Sequence, residues 1–155
     1  KILGLVTLGT GLGGALVVGG ELVVGALGYA AEFGHMRLPT HEVAPDGDMP
    51  TCGCGQRGCA ESFASLVSLD YFLRKALAKP EHRDHPLQQI PDEGRARAVK
   101  LLGLAQKGDA LSLALFDRQA EALGHLFVNL ANAFDPHVIL IGGGITESTE
   151  AFRTR

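Results

Sequence analysis

The sequence predicts an α/β domain with an antiparallel strand set at its front. Three observations carry that expectation. Short β-branched runs broken by glycines occupy the first 24 residues, apolar residues recur at helical spacing between Cys59 and Phe134, and an apolar run at 137–141 closes on three glycines. Bulk properties fit a single folded unit. The chain has 155 residues, close to the ~100–150 that one domain commonly takes. Charged residues make up 20% and hydrophobic residues 46%, which excludes an intrinsically disordered chain. The formal net charge is −3, so no nucleic-acid partner is expected. The one basic cluster, Arg95, Arg97 and Lys100, is diluted by Asp92 and Glu93. No apolar run reaches the ~18 residues of a membrane span, and no secretory leader is expected. Lys1 opens directly on a strand, and Arg155 follows soon after a glycine loop. Those ends read as a piece of something longer.

The elements follow in order. Residues 2–7 form an apolar strand that Gly9, Gly11, Gly13 and Gly14 break. Residues 15–18 and 21–24 are strands, and Gly19-Gly20 between them signals a two-residue hairpin of the I′ or II′ kind. Residues 25–34 are rich in small side chains and read as loop or a short helix. Residues 36–51 hold three prolines and read as loop with one strand at most. Helix is expected from Cys59 to about Lys79, with Ser68 placed to start a second helix inside it. Residues 80–94 read as a surface loop. Residues 95–106 form a helix stopped by Gly108, and Asp109 is placed to cap the next one. Phe116, Ala120, Leu123, Phe127, Leu130 and Phe134 then make a core-facing stripe. Asp135-Pro136 ends that helix, and 137–141 reads as a buried strand.

Glycine is the compositional outlier at 21 residues, about twice the usual ~7%. Gly9, Gly11 and Gly14 match G-x-G-x-x-G, the dinucleotide-binding fingerprint, but that fingerprint needs a helix next. Here the next residues are Ala15-Leu-Val-Val-Gly-Gly-Glu-Leu-Val-Val, which favour strands. The better reading is a strand–turn–strand whose amides and Thr10 hydroxyl cradle an anion. Positive φ angles and the need for open space are the expected reasons for glycine there.

All three cysteines fall between 52 and 59, spaced C-x-C-x4-C with glycines interleaved. An odd, crowded set is a poor disulfide framework and suits metal ligation in a reducing compartment. Tetrahedral zinc takes a fourth ligand, commonly histidine, and His35 and His41 both lie upstream. Four protein ligands would make the site structural. Beside these motifs stand Glu32, His35 and Glu61. Glu32 and His35 share a face if they sit on one helical turn, and Glu61 follows the last cysteine by two residues. Two carboxylates and an imidazole converging suit a polyhydroxylated ligand such as a sugar.

Taken together, several motifs resemble the ROK family of repressors, open reading frames and sugar kinases. They are Leu8-Gly-Thr-Gly-Leu-Gly-Gly14, Gly25, Gly28, Glu32-Phe-Gly-His35, Cys52-Gly-Cys-Gly-Gln-Arg-Gly-Cys59-Ala-Glu61, and the run from Asn129 through Asp135-Pro136 and Gly142-Gly-Gly144 to Ile145. The resemblance implies an actin-like, ribonuclease-H-like lobe with an inserted zinc loop, here most of the second lobe of a two-lobe sugar kinase. The first lobe and the C-terminal end would lie outside residues 1–155. It implies that ATP phosphates meet Gly9, Thr10, Gly11 and Gly13, that the nucleoside lies near Gly142, Gly143 and Gly144, and that Glu32, His35 and Glu61 bind sugar hydroxyls. It implies structural zinc on His35, Cys52, Cys54 and Cys59, Mg²⁺ arriving with ATP, a cytoplasmic homo-oligomer, and phosphorylation of glucose at C6. N-acetylhexosamine kinases and fructokinases share these motifs, as do sugar-responsive repressors with a helix-turn-helix far upstream. Two departures stand out. Ala31 occupies a position where the family usually has glycine, and its small size is expected to make it tolerable. The family's catalytic Asp would lie upstream of Lys1, so this stretch alone is not expected to catalyse.

Overall fold

Strand β1 (Ile2–Leu8) runs into a three-residue turn and returns as β2 (Leu12–Val18), paired from Ile2 with Val18 to Leu8 with Leu12. The computed structural model describes residues 1–89 and 94–144. Positions 90–93 of the expected surface loop, together with Ile145 and the final residues, lie outside that range. β2 begins three residues before the expected strand, because Gly13 and Gly14 pair with Thr7 and Val6. The hairpin after β2 forms as expected. Gly19 and Gly20 have φ of 64° and 95°, the pair of positive angles that a type I′ turn requires. The strand that follows is shorter than expected, because β3 (Glu21–Leu22) keeps only two residues at the sheet edge. Past it the chain leaves the ladder, with Gly25 at φ 78°.

The sheet is completed by β4 (Val138–Gly142), parallel to β1, in the order β3-β2-β1-β4. The expected burial of this strand is not observed. Val138 and Leu140 pair with Leu3 and Leu5 on the face opposite Val6 and Leu8, and among the described residues no helix covers that face. β4 also lies at the sheet edge, so even Ile141 is half exposed. The inner face is different. Val6, Leu8, Leu12 and Leu16 join one contiguous core with Phe63, Leu73, Leu101, Leu126 and Leu130 of the helices.

The helical part breaks where capping chemistry dictates. α2 (Glu61–Ala64) ends at Ser65, and α3 (Leu66–Leu77) begins there, three residues before the expected Ser68. The Ser65 hydroxyl accepts the Ser68 amide at 3.1 Å, as an N-cap does. Ser68 instead donates its own hydroxyl back to the Ser65 carbonyl at 2.8 Å. The stretch 36–51 contains a four-residue helix, α1 (Thr40–Val43), that its prolines concealed. Within 80–89 two 3₁₀ turns appear, and buried Leu87 pins the segment to the core.

α4 (Gly94–Ala105) and α5 (Ala110–Phe134) match their expected positions within one residue. The buried face of α5 is broader than the expected stripe. It runs through Ser112, Leu115, Phe116, Gln119, Ala122, Leu123, Leu126 and Leu130, while Ala120 faces solvent. α5 packs against α1, α2, α3 and α4, so one narrow row of contacts is not enough. No helix among the described residues is long and apolar enough to cross a membrane.

Asp109 caps α5 as expected. Its Oδ1 accepts the Ser112 amide at 2.8 Å, and its Oδ2 lies 3.1 Å from His85 Nε2. Burial pushes the Asp109 carboxyl up, but the Ser112 hydroxyl and amide and then His85 outweigh it, and the group sits below the ordinary carboxylate value. A depressed folded value contributes stability above the unfolded value of ~3.9, and that stability fades as pH falls through the folded value. Asp109→Ala is expected to cost about 1–2 kcal/mol at neutral pH. The cost should shrink as the solution is acidified below pH ~4, as read by denaturation midpoints across a pH series.

Candidate functional site

Backbone geometry brings the two glycine clusters to one end of the sheet. Thr7 of β1 pairs with Gly142 of β4, so the turn after β1 and residues 142–144 leave the sheet side by side. Gly143 has φ 108°, and a Cβ there would run into the Leu8 backbone. This is the carboxyl end of two adjacent parallel strands, where open α/β sheets form their ligand crevice.

The turn at residues 9–11 is held from behind. The Gly9 carbonyl accepts the Leu66 amide at 2.9 Å and the Thr10 carbonyl accepts the Val67 amide at 3.4 Å, both from the start of α3. The Leu12 amide donates to Glu61 Oε2 at 2.9 Å. Among the described residues the Thr10 and Gly11 amides have no acceptor, and no atom lies within 4 Å of the place a Cβ on Gly9 would take. Two unpaired donors facing open space fit the anion cradle expected from the sequence. The reason for glycine differs from expectation, because none of Gly9, Gly11, Gly13 and Gly14 has positive φ. At Gly9 the expected open space is present, whereas at Gly11, Gly13 and Gly14 close approach is the reason. A Cβ on Gly11 would enter the Glu61 carboxylate, and one on Gly14 would enter the Ala31 carbonyl and the Phe33 ring.

Gly14 thereby lets residues 31–35 lie directly on β2. Gly34 does the same from the other side, since a Cβ there would meet the Leu12 carbonyl. Phe33 is buried, 5.8 Å from the Phe134 ring at the end of α5. The segment forms a 3₁₀ turn over Phe33–His35, with Glu32 at its N-cap. Residues three apart eclipse on such a turn, so Glu32 and His35 share an exposed face as expected. Ala31 has φ 64°. The left-handed backbone burdens any residue with a Cβ, a cost that small size does not remove.

His35 and the three cysteines converge. His35 Nδ1 lies 3.4 Å from Cys52 Sγ, and Cys54 Sγ lies 3.7 Å from Cys59 Sγ. All four ligand atoms fall within 4.8 Å of one another. Tetrahedral zinc with bonds of about 2.0–2.3 Å has edges of about 3.3–3.8 Å, so the donor set fits and the His35–Cys52 and Cys54–Cys59 separations match those edges. His41 does not join them; it is exposed beside Glu42. The loop is shaped by its glycines. Gly55 at φ 85° turns the chain between Cys52 and Gln56, and Gly58 at φ 84° returns it to Cys59 beside Arg37. Before Cys52 the chain is tied down by Asp46 to Arg118 at 2.9 Å and by Asp48 to Lys75 at 2.6 Å.

Burial first, and then the neighbouring thiols, push the Cys59 thiol up to about 12. Burial likewise pushes Cys52 up, while the hydrogen bond from the Gln56 amide draws Cys54 down. Thiols held this close ionise together only when a cation neutralises them, so metal binding here is coupled to proton release. Glu61 stands at the junction of the two halves. Its Oε1 lies 3.6 Å from Cys52 Sγ while its Oε2 holds the Leu12 amide. The carboxylate of Glu32 makes no hydrogen bond among the described residues.

The ROK family model matches residues 2–154. This chain belongs to the ROK family. It is 37% identical over 144 residues to a glucokinase of Thermotoga maritima, covering 93% of this chain and 43% of that protein. It is 35% identical over 155 residues to an N-acetyl-D-glucosamine kinase of Pectobacterium atrosepticum, covering 98% and 46%. The structure matches a ROK family glucokinase from Streptomyces griseus, solved with glucose and AMPPNP, at a TM-score of 0.75 and 33% identity, over 97% of this chain and 47% of that one. The chain thus spans less than half the length of these relatives. The fold is the α/β, actin-like ATPase class of the ROK kinases.

Sequence reasoning missed three parts of this site. Leu12 contributes only its backbone amide, which no side-chain pattern marks. The start of α3 was placed at Ser68, which hid the Leu66 and Val67 donors; the signal was the other serine, Ser65, just before Leu66. The third part, Gln119, reads as one more polar residue on a long helix.

Two outcomes test this geometry. Freshly purified protein should carry about one zinc per chain, and Cys54→Ser should lose the metal and lower the melting temperature; elemental analysis without zinc overturns the assignment. Ala31→Gly should raise stability by up to ~1 kcal/mol, since relief of ~1–2 kcal/mol of left-handed strain exceeds the added chain entropy of ~0.4–1 kcal/mol. Chemical denaturation reads the sign.

Proposed function

We propose that the full-length protein is an ATP-dependent hexose kinase acting on glucose at C6, and that residues 1–155 form most of its second lobe. The observation that carries this is the shared Glu61 carboxylate. One oxygen holds the Leu12 amide at the end of the glycine turn, and the other faces the His35–cysteine cluster. A phosphate cradle and a sugar-sized polar set are thus built against each other, as transfer between two bound substrates requires.

In this proposal Gly9, Thr10, Gly11 and Gly13 receive the ATP phosphates, and Gly142, Gly143 and Gly144 border the nucleoside. Glu32, His35 and Glu61 receive sugar hydroxyls. His35 would give Nδ1 to the metal, which would leave Nε2 of this exposed residue as a hydrogen-bond donor for a sugar hydroxyl. Zinc on His35, Cys52, Cys54 and Cys59 would supply structure: it would fix that tautomer and tie Glu61 to the turn bearing Glu32. Mg²⁺ would accompany ATP. The Asp that takes the hydroxyl proton would lie upstream of Lys1. Thiolate ligands favour a reducing compartment, and the cytoplasm is the proposed location. The glucokinase from Streptomyces griseus, solved with glucose and AMPPNP, supports both substrates. The relatives named glucokinase and N-acetyl-D-glucosamine kinase support the reaction class.

The full-length protein should phosphorylate glucose faster than N-acetylglucosamine. The reverse order moves the substrate to the amino sugar, and no phosphorylation of either sugar leaves a sugar-binding regulator in place of a kinase. Glu61→Gln should weaken sugar binding by roughly ten- to a hundredfold, the loss of one charge-assisted hydrogen bond of ~1.5–3 kcal/mol. Zinc content and nucleotide affinity should hold, because the Gln carbonyl still accepts the Leu12 amide. Gly9→Val, which places bulk only in the open space before the turn, should weaken AMPPNP binding at least tenfold while sparing sugar binding; calorimetry separates the two.

A further inference from the structure

The break between α2 and α3 lies directly behind the glycine turn. Leu66 and Val67 can donate to the Gly9 and Thr10 carbonyls only because α3 starts afresh at Ser65, leaving its first amides without partners inside the helix. Glu61, at the start of α2, reaches the Leu12 amide from the other side of the break. Residues 9–12 are therefore gripped by two short helical ends whose relative angle is set at Ser65.

That angle is held by α5. Gln119 is 2% exposed, and its Nε2 lies 3.2 Å from both the Ala64 and the Ser65 carbonyls, the two oxygens at the break. Its Oε1 is buried without a partner among the described residues. A buried amide with one orphaned end is a poor choice for stability alone, since an apolar side chain of the same length would fill the space without that cost. Its donors, in contrast, do something no apolar side chain can do: they hold the Ala64 carbonyl and join the Leu69 amide and the Ser68 hydroxyl on the Ser65 carbonyl, tying the end of α2 to the start of α3.

We propose that Gln119 is a positioning residue for nucleotide binding. It holds the α2–α3 break in the geometry that presents the Thr10 and Gly11 amides to phosphate. This inference rests on the proposal that the turn meets the phosphates of ATP. Gln119 touches neither substrate, and it acts through Ser65, Leu66 and Val67.

The test uses the full-length protein with Gln119→Met, which keeps side-chain length and removes the donors. The KM for ATP should rise, and the affinity for Mg²⁺-AMPPNP should fall, by about tenfold. Glucose affinity and zinc content should stay at wild-type values. A purely structural glutamine would lower the melting temperature and leave the KM for ATP unchanged, or would shift both substrates together; either result overturns the proposal. Should Gln119→Met fail to fold, Ser65→Ala removes the cap at the same break, and Ser65→Gly, a better N-cap than alanine, should restore part of the nucleotide affinity. No loss in Ser65→Ala, or equal loss in both, also overturns it. Gly9→Val tells the two levels apart. If it weakens nucleotide binding while Gln119→Met does not, the turn keeps its role and Gln119 loses its own. If Gly9→Val changes nothing, the role of the turn and that of Gln119 fall together.

Discussion

The Glu61 carboxylate comes within 2.9 Å of the Leu12 amide because nothing projects from Gly11. Much of the site depends on that approach. It fixes the end of the glycine turn, sets the start of α2 against the sheet, and brings the other carboxylate oxygen to 3.6 Å from Cys52 Sγ. A side chain at position 11 would push Glu61 away and separate the two halves of the site at once. Gly14, Gly34 and Gly143 repeat the principle at neighbouring contacts, each accepting backbone or a ring where a Cβ would stand. The functional end of the molecule is thus built by backbone packed on backbone, and its glycines are needed more for absence of bulk than for unusual torsion angles.

The cysteine loop adds a constraint of a different kind. Its backbone turns on Gly55 and Gly58, whose φ values of 85° and 84° do require glycine. Such a loop has little apolar surface of its own: Cys52 and Cys59 are buried, whereas Cys54 is exposed. A metal on these four residues would supply what the missing core cannot, since burial and the neighbouring thiols push the Cys59 thiol up to about 12 and a cation would offset that cost. Polar ties from Asp46 and Asp48 to α5 and α3 hold the chain on the way in. In the proposed function the substrate face would take its rigidity from this knot, because His35 would belong to both.

Ala31 and Gln119 show how the site is maintained against local preference. Ala31 holds a left-handed conformation that lets its carbonyl accept the Phe33 amide at 2.7 Å and start the turn that carries His35. Gln119 keeps an amide in the core with its oxygen unpartnered. Each departs from what stability alone would select, and each lies one step behind the atoms assigned to substrate. Strain and orphaned polar groups of this kind gather around functional sites, where surrounding packing over-determines them.

The sequence by itself determined the periodic parts of this protein. Apolar residues marked β1 and the second half of β2, the Gly19-Gly20 pair marked the hairpin that follows, Asp109 marked the start of α5, and Cys52-Gly-Cys54 with Cys59 marked a candidate metal loop. Each of these signals is local: a torsion preference, a cap, or ligands spaced within a few residues. Tertiary structure alone decided the rest. It brought His35 and not His41 to the thiols, as the family resemblance implied and the spacing alone left open, because residues 31–35 pack on Gly14. It placed β4 beside β1 at the edge of the sheet among the described residues, a neighbour the strand's own residues do not name. It also moved the helix break to Ser65, where the turn's carbonyls meet the freed Leu66 and Val67 amides and Gln119 from a distant helix meets the Ala64 and Ser65 carbonyls. Contacts between residues distant along the chain leave no period in a sequence, so these choices become visible only when the chain is folded.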